Sequence, residues 1–309
     1  MEKMNCKQCP RACGADRTQG KGRCGAPWDF WVSRAALHPW EEPCISGTRG
    51  SGTVFFGGCN LGCVFCQNRA ISRGTPDTVG TLLDGEALAS LLLRLQDKGA
   101  HNLNLVTPTH YALQLATVLE AVKPRLSIPV VYNTGGYESV ETLRRLDGLV
   151  DIYLPDFKYA SPTLAKRFSD AEDYPAVALL ALQEMLRQSG PPQLDASGLM
   201  MRGTIVRHLV LPGHREDSIA VLELLAKQVG SQAFLLSLMS QYTPSFAQGE
   251  GIGELKRRVT TFEYTAVSEK AEQLGFSGYF QARSSAKADY TPNFEEESLL
   301  EITRIRRKK

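Results

Sequence analysis

The run Gly57-Gly58-Cys59-Asn60-Leu61-Gly62-Cys63-Val64-Phe65-Cys66-Gln67-Asn68 follows directly on the apolar stretch Thr53-Val54-Phe55-Phe56. Three thiols within eight residues at the end of a predicted strand fit a single loop, short enough to fold its sulfurs around one iron–sulfur cluster. Soft thiolates favour iron–sulfur and zinc centres over hard cations, so the alternative here is a zinc loop completed by a distant His or Cys. A structural zinc or a closed electron-transfer cluster takes four protein ligands. Three leave one iron open to a small molecule.

Upstream of the loop, residues 5–28 are rich in Cys, Gly, Arg and Pro and lack any apolar period. Such a segment cannot bury a core of its own, so order in it requires a cross-link. Cys6-x2-Cys9-x3-Cys13-x10-Cys24 offers four ligands, which close a site and suggest a second iron–sulfur cluster or a structural zinc; spacing does not separate the two. Cys44 stands alone and reads as a buried structural thiol.

Downstream, short apolar runs alternate with amphipathic segments, the pattern of repeated βα units around a parallel sheet. Strands are predicted over 53–57, 102–106, 130–133, 151–154, 204–211 and 234–239. Helices are predicted over 86–95 with Asp84 as N-cap, 111–122 stopped by Pro124, 138 to before Gly148, 176–188, 217–229 and 263–274. A barrel and a doubly wound open sheet share this alternation. The chain divides into a Cys-rich segment (1–50), a βα body (51–285) and a C-terminal tail (286–309).

Composition sets outer bounds. Of 309 residues, 43% are hydrophobic and 22% charged, as in a globular protein with a sizeable core. A net charge of +2 gives no case for nucleic acid. No apolar run is long enough to span a bilayer, and the opening residues lack a signal-peptide core, so the expected location is cytoplasmic. Reduced thiols are the rule there, and eight cysteines then read as ligands rather than disulfides. The basic run Arg304-Ile305-Arg306-Arg307-Lys308-Lys309 reads as a solvated tail.

Polar residues recur just after each predicted strand. They are Thr107-Pro108-Thr109-His110, Asn133-Thr134-Gly135-Gly136-Tyr137, Asp156-Phe157-Lys158, and Ser240-Gln241-Tyr242-Thr243. Asp156 and Lys158, two apart, share a face if strand geometry persists, and together suit a charged ligand. Arg207, inside an apolar strand, calls for an anionic partner in a polar cavity. His110, His208 and His214 are acid–base candidates, each with a structural hydrogen bond as the alternative.

The C-x3-C-x2-C spacing with Phe65 before the last cysteine and Asn68 after it resembles the radical S-adenosylmethionine (AdoMet) superfamily. The stretches His38-Pro39-Trp40-Glu41-Glu42-Pro43-Cys44, Gly50-Ser51-Gly52-Thr53, Asn133-Thr134-Gly135-Gly136-Tyr137, Asp156-Phe157-Lys158 and Val206-Arg207-His208-Leu209-Val210-Leu211-Pro212-Gly213 resemble a narrower group. That group is the uncharacterised branch related to pyruvate formate-lyase activating enzyme. The resemblance implies an α/β fold, a partial (β/α)6 TIM-type barrel with a Cys-rich N-terminal extension. It implies a [4Fe–4S] cluster on Cys59, Cys63 and Cys66, whose open iron is chelated by the amino and carboxylate groups of AdoMet. It makes Asn133, Asp156, Lys158 and Arg207 candidates to meet AdoMet or an accompanying cation. The family's Gly-Gly-Glu contact to the AdoMet amino group is replaced by Val106-Thr107-Pro108-Thr109-His110, with Thr107 or Thr109 as substitutes.

By the same resemblance the activity is reductive cleavage of AdoMet to a 5′-deoxyadenosyl radical that abstracts hydrogen, with a glycyl-radical-type protein partner as one substrate class. A low-potential ferredoxin or flavodoxin is the implied electron donor. The alternatives are a radical AdoMet enzyme acting on a small molecule or an RNA base, and a non-enzymatic iron–sulfur or zinc scaffold.

Overall fold

The computed structural model describes residues 5–281; the basic C-terminal run lies outside them. Its strands and helices, in chain order, are β1 (Phe30–His38), α1 (Pro43–Ser46), β2 (Ser51–Phe56), α2 (Arg69–Ser72), β3 (Thr81–Leu83), α3 (Gly85–Asp97), β4 (Leu103–Val106), α4 (Ala112–Val122), β5 (Val130–Thr134) and α5 (Val140–Arg144). They continue with β6 (Ile152–Pro155), α6 (Pro162–Ser169), α7 (Tyr174–Ser189), β7 (Gln193–Leu194), β8 (Met200–Leu209), α8 (Arg215–Gln228), β9 (Leu235–Met239), α9 (Thr261–Gln273) and β10 (Gly278–Phe280).

The six predicted strands are β2, β4, β5, β6, β8 and β9, and they pair in that order, all parallel. β10 adds a seventh parallel strand beside β9. β2, β4, β5 and β6 are buried at every position, as expected of parallel strands covered on both faces. The full order is β10-β9-β8-β6-β5-β4-β2-β1-β3, and among the described residues no ladder joins β10 to β3 or β1, so the sheet is not closed. It is nonetheless curved: β1 and β2 toward one end, and β10 at the other, contribute His38, Phe55 and Phe280 to a single cavity.

The outer layer of helices follows from local signals. Asp84 caps α3 by accepting from Ala87 N–H at 2.9 Å, and Leu88, Leu91, Leu92 and Leu95 recur on one helical face and are fully buried. Each such leucine contributes about 2 kcal/mol on leaving water. Thr260 and Glu263 form a capping box that starts α9. Between β6 and β8 there are two helices where the sequence predicts one stretch. Pro162 opens α6, and Asp170 ends it in the left-handed region (φ 48°). Helix α5 begins late because Ser139 caps it, leaving Glu138 outside.

β1 is the main element that sequence reading did not place. It lies within the Cys-rich segment, yet it runs antiparallel along β2 and carries β3 on its other edge. Beyond β1, α1 folds into the concave side of the sheet. Its Cys44 and Ile45 pack with Val131 of β5, Ile152 and Leu154 of β6, and Met200 and Ile205 of β8. The short helix thereby plugs the interior and floors the cavity above it.

Candidate active site

The cysteine loop leaves β2 through a tight passage. Gly57 donates its N–H to Trp31 O at 2.8 Å, and a Cβ there would sit 2.0 Å from the Trp31 ring, so only glycine lets the strand end pack on the buried indole. Gly58 turns with φ +85°, and its Cβ would lie 2.6 Å from the Cys24 carbonyl. Cys59 N–H donates to that same carbonyl at 2.9 Å. Farther on, Val64 N–H donates to Phe168 O, and Phe65 packs edge-on against Phe168 and Tyr242. Phe65 thus anchors the last turn of the loop to the core.

The three sulfurs are met by donors. Leu61 N–H points to Cys59 Sγ at 3.4 Å, the Ser169 hydroxyl donates to Cys63 Sγ at 2.9 Å, and the Ser72 hydroxyl lies 3.5 Å from Cys66 Sγ. Burial, with the neighbouring sulfurs adding to it, raises the Cys59 thiol above its ordinary range and pushes Cys66 up to about 11. Cys63 is buried and Cys59 and Cys66 are half-buried, and sulfurs so placed with hydrogen-bonding groups around them fit the donor set of an iron–sulfur cluster. Among the described residues no three His, Cys, Asp or Glu side chains are arranged around one point as the ligands of a single metal ion would be. A four-iron cluster has no such requirement, since each of its cysteines binds a different iron.

Cys63 and Cys66 line a cavity of about 580 Å³, together with Asn133, Asp156, Lys158 and Arg207. The four polar candidates come from three adjacent strand ends and form one network. Asp156 continues β6 by one bridge opposite Arg207 of β8, which brings the Arg207 Nε to Asp156 Oδ1 at 2.9 Å. Lys158, two residues on, reaches Asp156 Oδ2 at 2.6 Å. A second Arg207 nitrogen donates to Asn133 Oδ1 at 2.6 Å. Burial acts to raise the Asp156 carboxyl, but the Arg207 and Lys158 cations overcome it and hold the group below the usual carboxylate range. Arg207 therefore has the anionic partner that its place in an apolar strand calls for, and that partner lies within the protein.

Sequence reasoning missed the floor of this cavity. Glu41 accepts from Asn104 Nδ2 at 2.9 Å and lies 3.6 Å from Arg207, and Glu42 lines the same space. The available signal was the pair of acids between an apolar strand and Pro43, which opens α1. Burial raises the Glu41 carboxyl, with Arg207 and Asn104 opposing.

Other candidates take structural places. Thr109 is buried and donates to Glu138 Oε1 at 2.5 Å, and neither it nor Thr107 lines the cavity. His110 Nε2 pairs with Gly57 O at 2.8 Å, His208 Nδ1 with Phe157 O at 2.7 Å, and His214 Nε2 with Glu254 at 3.1 Å. Burial lowers His110 to about 3 and His208 to about 4. None of the three lines the cavity. Gly136 (φ +82°) is pressed against the Asp156 carbonyl rather than against a ligand. Cys44 is buried and faces Tyr279.

The N-terminal cysteines lie behind the loop. Cys9 and Cys24 are buried, Cys6 is half-buried and Cys13 is exposed. Burial pushes Cys9 up to about 12, with Cys24 and Cys6 adding to the rise. Arg11 locks this segment to the loop by donating to Asn60 O at 2.8 Å and Ser169 O at 3.1 Å. Arg17, fully buried, donates to Ala26 O at 3.2 Å and lies over the Tyr111 ring.

Comparison with known proteins agrees with this geometry. An uncharacterized protein of Methanocaldococcus jannaschii is 28% identical over 278 residues, covering 87% of this chain and 75% of the relative. The crystal structure of Streptococcus suis SuiB bound to the precursor peptide SuiA matches with a TM-score of 0.50 at 13% identity, over 78% of this chain. The chain spans about half of SuiB (51%), and that likeness concerns the fold. Residues 53–225, more than half of the chain and including the cysteine loop, Asn133, Asp156, Lys158 and Arg207, match the Radical SAM superfamily. This protein belongs to that superfamily.

Proposed function

We propose that the chain is an enzyme of the activating-enzyme-related branch, holding a [4Fe–4S] cluster on Cys59, Cys63 and Cys66 and binding AdoMet beside Asn133, Asp156, Lys158 and Arg207. The observation that carries the reading is that the cysteine loop and the Asp156–Arg207–Lys158 network open into one cavity. A cluster held by Cys59, Cys63 and Cys66 would supply the electron for reductive cleavage of AdoMet and the hydrogen-abstraction chemistry that depends on it. The chain's own residues position the reactants. Phe65 and Ser169 fix the loop, the ion network holds its charges in one arrangement, and Pro43 of α1 lines the cavity beside Glu41 and Glu42.

The substrate class implied by the related branch is a glycine of a partner protein. Residues 51–285 form the catalytic body in this reading, and residues 1–50 a buttress whose Cys6, Cys9, Cys13 and Cys24 hold a second cluster or zinc. The electron paramagnetic resonance spectrum of the anaerobically reconstituted, dithionite-reduced protein tests the core of it. The expected result is a reduced four-iron signal that changes shape with AdoMet, and 5′-deoxyadenosine on incubation. A signal indifferent to AdoMet, with no deoxyadenosine, leaves the loop as a structural site.

A further inference from the structure

Among the described residues that line the cavity, carboxyl groups outnumber cations: Glu41, Glu42 and Asp156 stand against Lys158 and Arg207. Asp156 is met by both cations, and Glu41 by Asn104 and Arg207. Arg207 also acts on Glu42 through its charge, but among the described residues Glu42 Oε2 is buried with no hydrogen-bond partner. A buried carboxylate oxygen without a donor is costly, and the site that holds one is built for a group the protein itself does not supply.

We propose that Glu42 is the recognition carboxylate for a primary alkylammonium group on the substrate, an inference that rests on the function proposed above. The chemistry of the vacancy selects the cation. One unpaired oxygen suits the point charge and single-direction donors of an ammonium, whereas a guanidinium fork needs two oxygens side by side. Leu209, Met239 and Phe280 line the same space and offer an alkyl stem apolar contact. His38, also on the lining, is lowered to about 4 by burial and by Arg34, so it brings no competing positive charge at neutral pH. Burial raises the Glu42 carboxyl, Arg207 opposes the rise and Glu41 adds to it; a bound ammonium removes that strain. The amino group of AdoMet is the other source of such a cation, and by the resemblance it would be held at the open iron instead.

The test is calorimetric titration of the reconstituted protein, with and without AdoMet, using n-pentylammonium, 1-pentanol and n-butylguanidinium as probes. Pentylammonium is expected to bind about tenfold tighter than pentanol, the worth of one charged hydrogen bond, and tighter than the guanidinium. Glu42→Gln is expected to erase the preference while circular dichroism and the thermal midpoint show it folded; should it not fold, the ranking of the three probes on the native protein decides. Equal binding of ammonium and alcohol, or binding of neither, overturns the proposal. A Glu42→Gln variant that loses AdoMet affinity instead overturns it in favour of the AdoMet amino group. Failure of the native protein to bind AdoMet overturns the proposed function, while the probe ranking without AdoMet still decides the role of Glu42.

Discussion

Asp156 is the residue on which the polar network turns, because it alone neutralises two cations. Replacing it with Asn leaves Lys158 without its carboxylate and Arg207 with only the more distant Glu41 and Glu42 charges. The three side chains are each less than a fifth exposed, so solvent screens the loss in part, and a destabilisation of about 2 kcal/mol is expected by urea denaturation. A loss below the error of the fit would show that the pairing is incidental. Glu138 is the opposite case, a carboxyl without a cation. Burial raises it to about 7 against the hydroxyls of Thr109, Thr134 and Tyr132, which pull it down. The unfolded chain gives up this proton near 4.5 and the folded chain near 7. The folded state therefore binds more protons between those values. Its stabilising effect is complete below 4.5 and is lost as pH rises through 7. Glu138→Gln should flatten that slope by on the order of 3 kcal/mol between about pH 5 and pH 8, read as the difference between native and variant denaturation curves. Equal slopes would refute it. That Asn133, Asp156, Lys158 and Arg207 meet beside Cys63 and Cys66 in one cavity was legible because chemistry-bearing residues recur at strand ends. Glu41, Glu42 and Glu138 were not: the acid pair before Pro43 marks a position without telling which carboxylate turns inward, and Glu138 stands alone among residues of a turn.

Among elements, legibility followed periodicity. The six parallel strands and α3, α4, α8 and α9 carry strong apolar patterns, and their bounds fall within a few residues of expectation. β1 hid inside a segment dominated by cysteines and glycines, and its partner is a strand that reads as buried on its own. β7 and β10 are two and three residues long, too short for any period to show. The contact of greatest consequence here is between two irregular elements, the N-terminal segment and the cysteine loop, joined by Arg11 and by the Cys24–Cys59 backbone bond. No sequence pattern reports it, because it is made by side chain to main chain across dozens of residues. Arg11→Ala removes charged donors from the Asn60 and Ser169 carbonyls and is expected to weaken the fold by about 2 kcal/mol. It should also broaden the cluster's resonance signal by loosening the loop; an unaltered spectrum with an altered denaturation midpoint would confine Arg11 to the N-terminal segment.

At the scale of the whole molecule, the two cysteine groups make a separable prediction about metal content. Serine at Cys59, Cys63 and Cys66 together should abolish deoxyadenosine formation while iron or zinc persists on Cys6, Cys9, Cys13 and Cys24. Elemental analysis of that protein, beside one with serine at the four N-terminal positions, counts the centres. Full loss of metal from the first variant would leave a single centre in the molecule. The fold class itself was legible only as repeated βα units; the open curve came from how β1 and β10 end, which local patterns do not encode.

That open curve has a mechanical meaning. Every other strand boundary around the cavity is stitched by backbone hydrogen bonds, and widening it would tear them. Between β10 and the β1–β3 flank there is a seam with no stitches among the described residues. Widening the chamber along that seam would break no ladder among the described residues, whereas widening it anywhere else would.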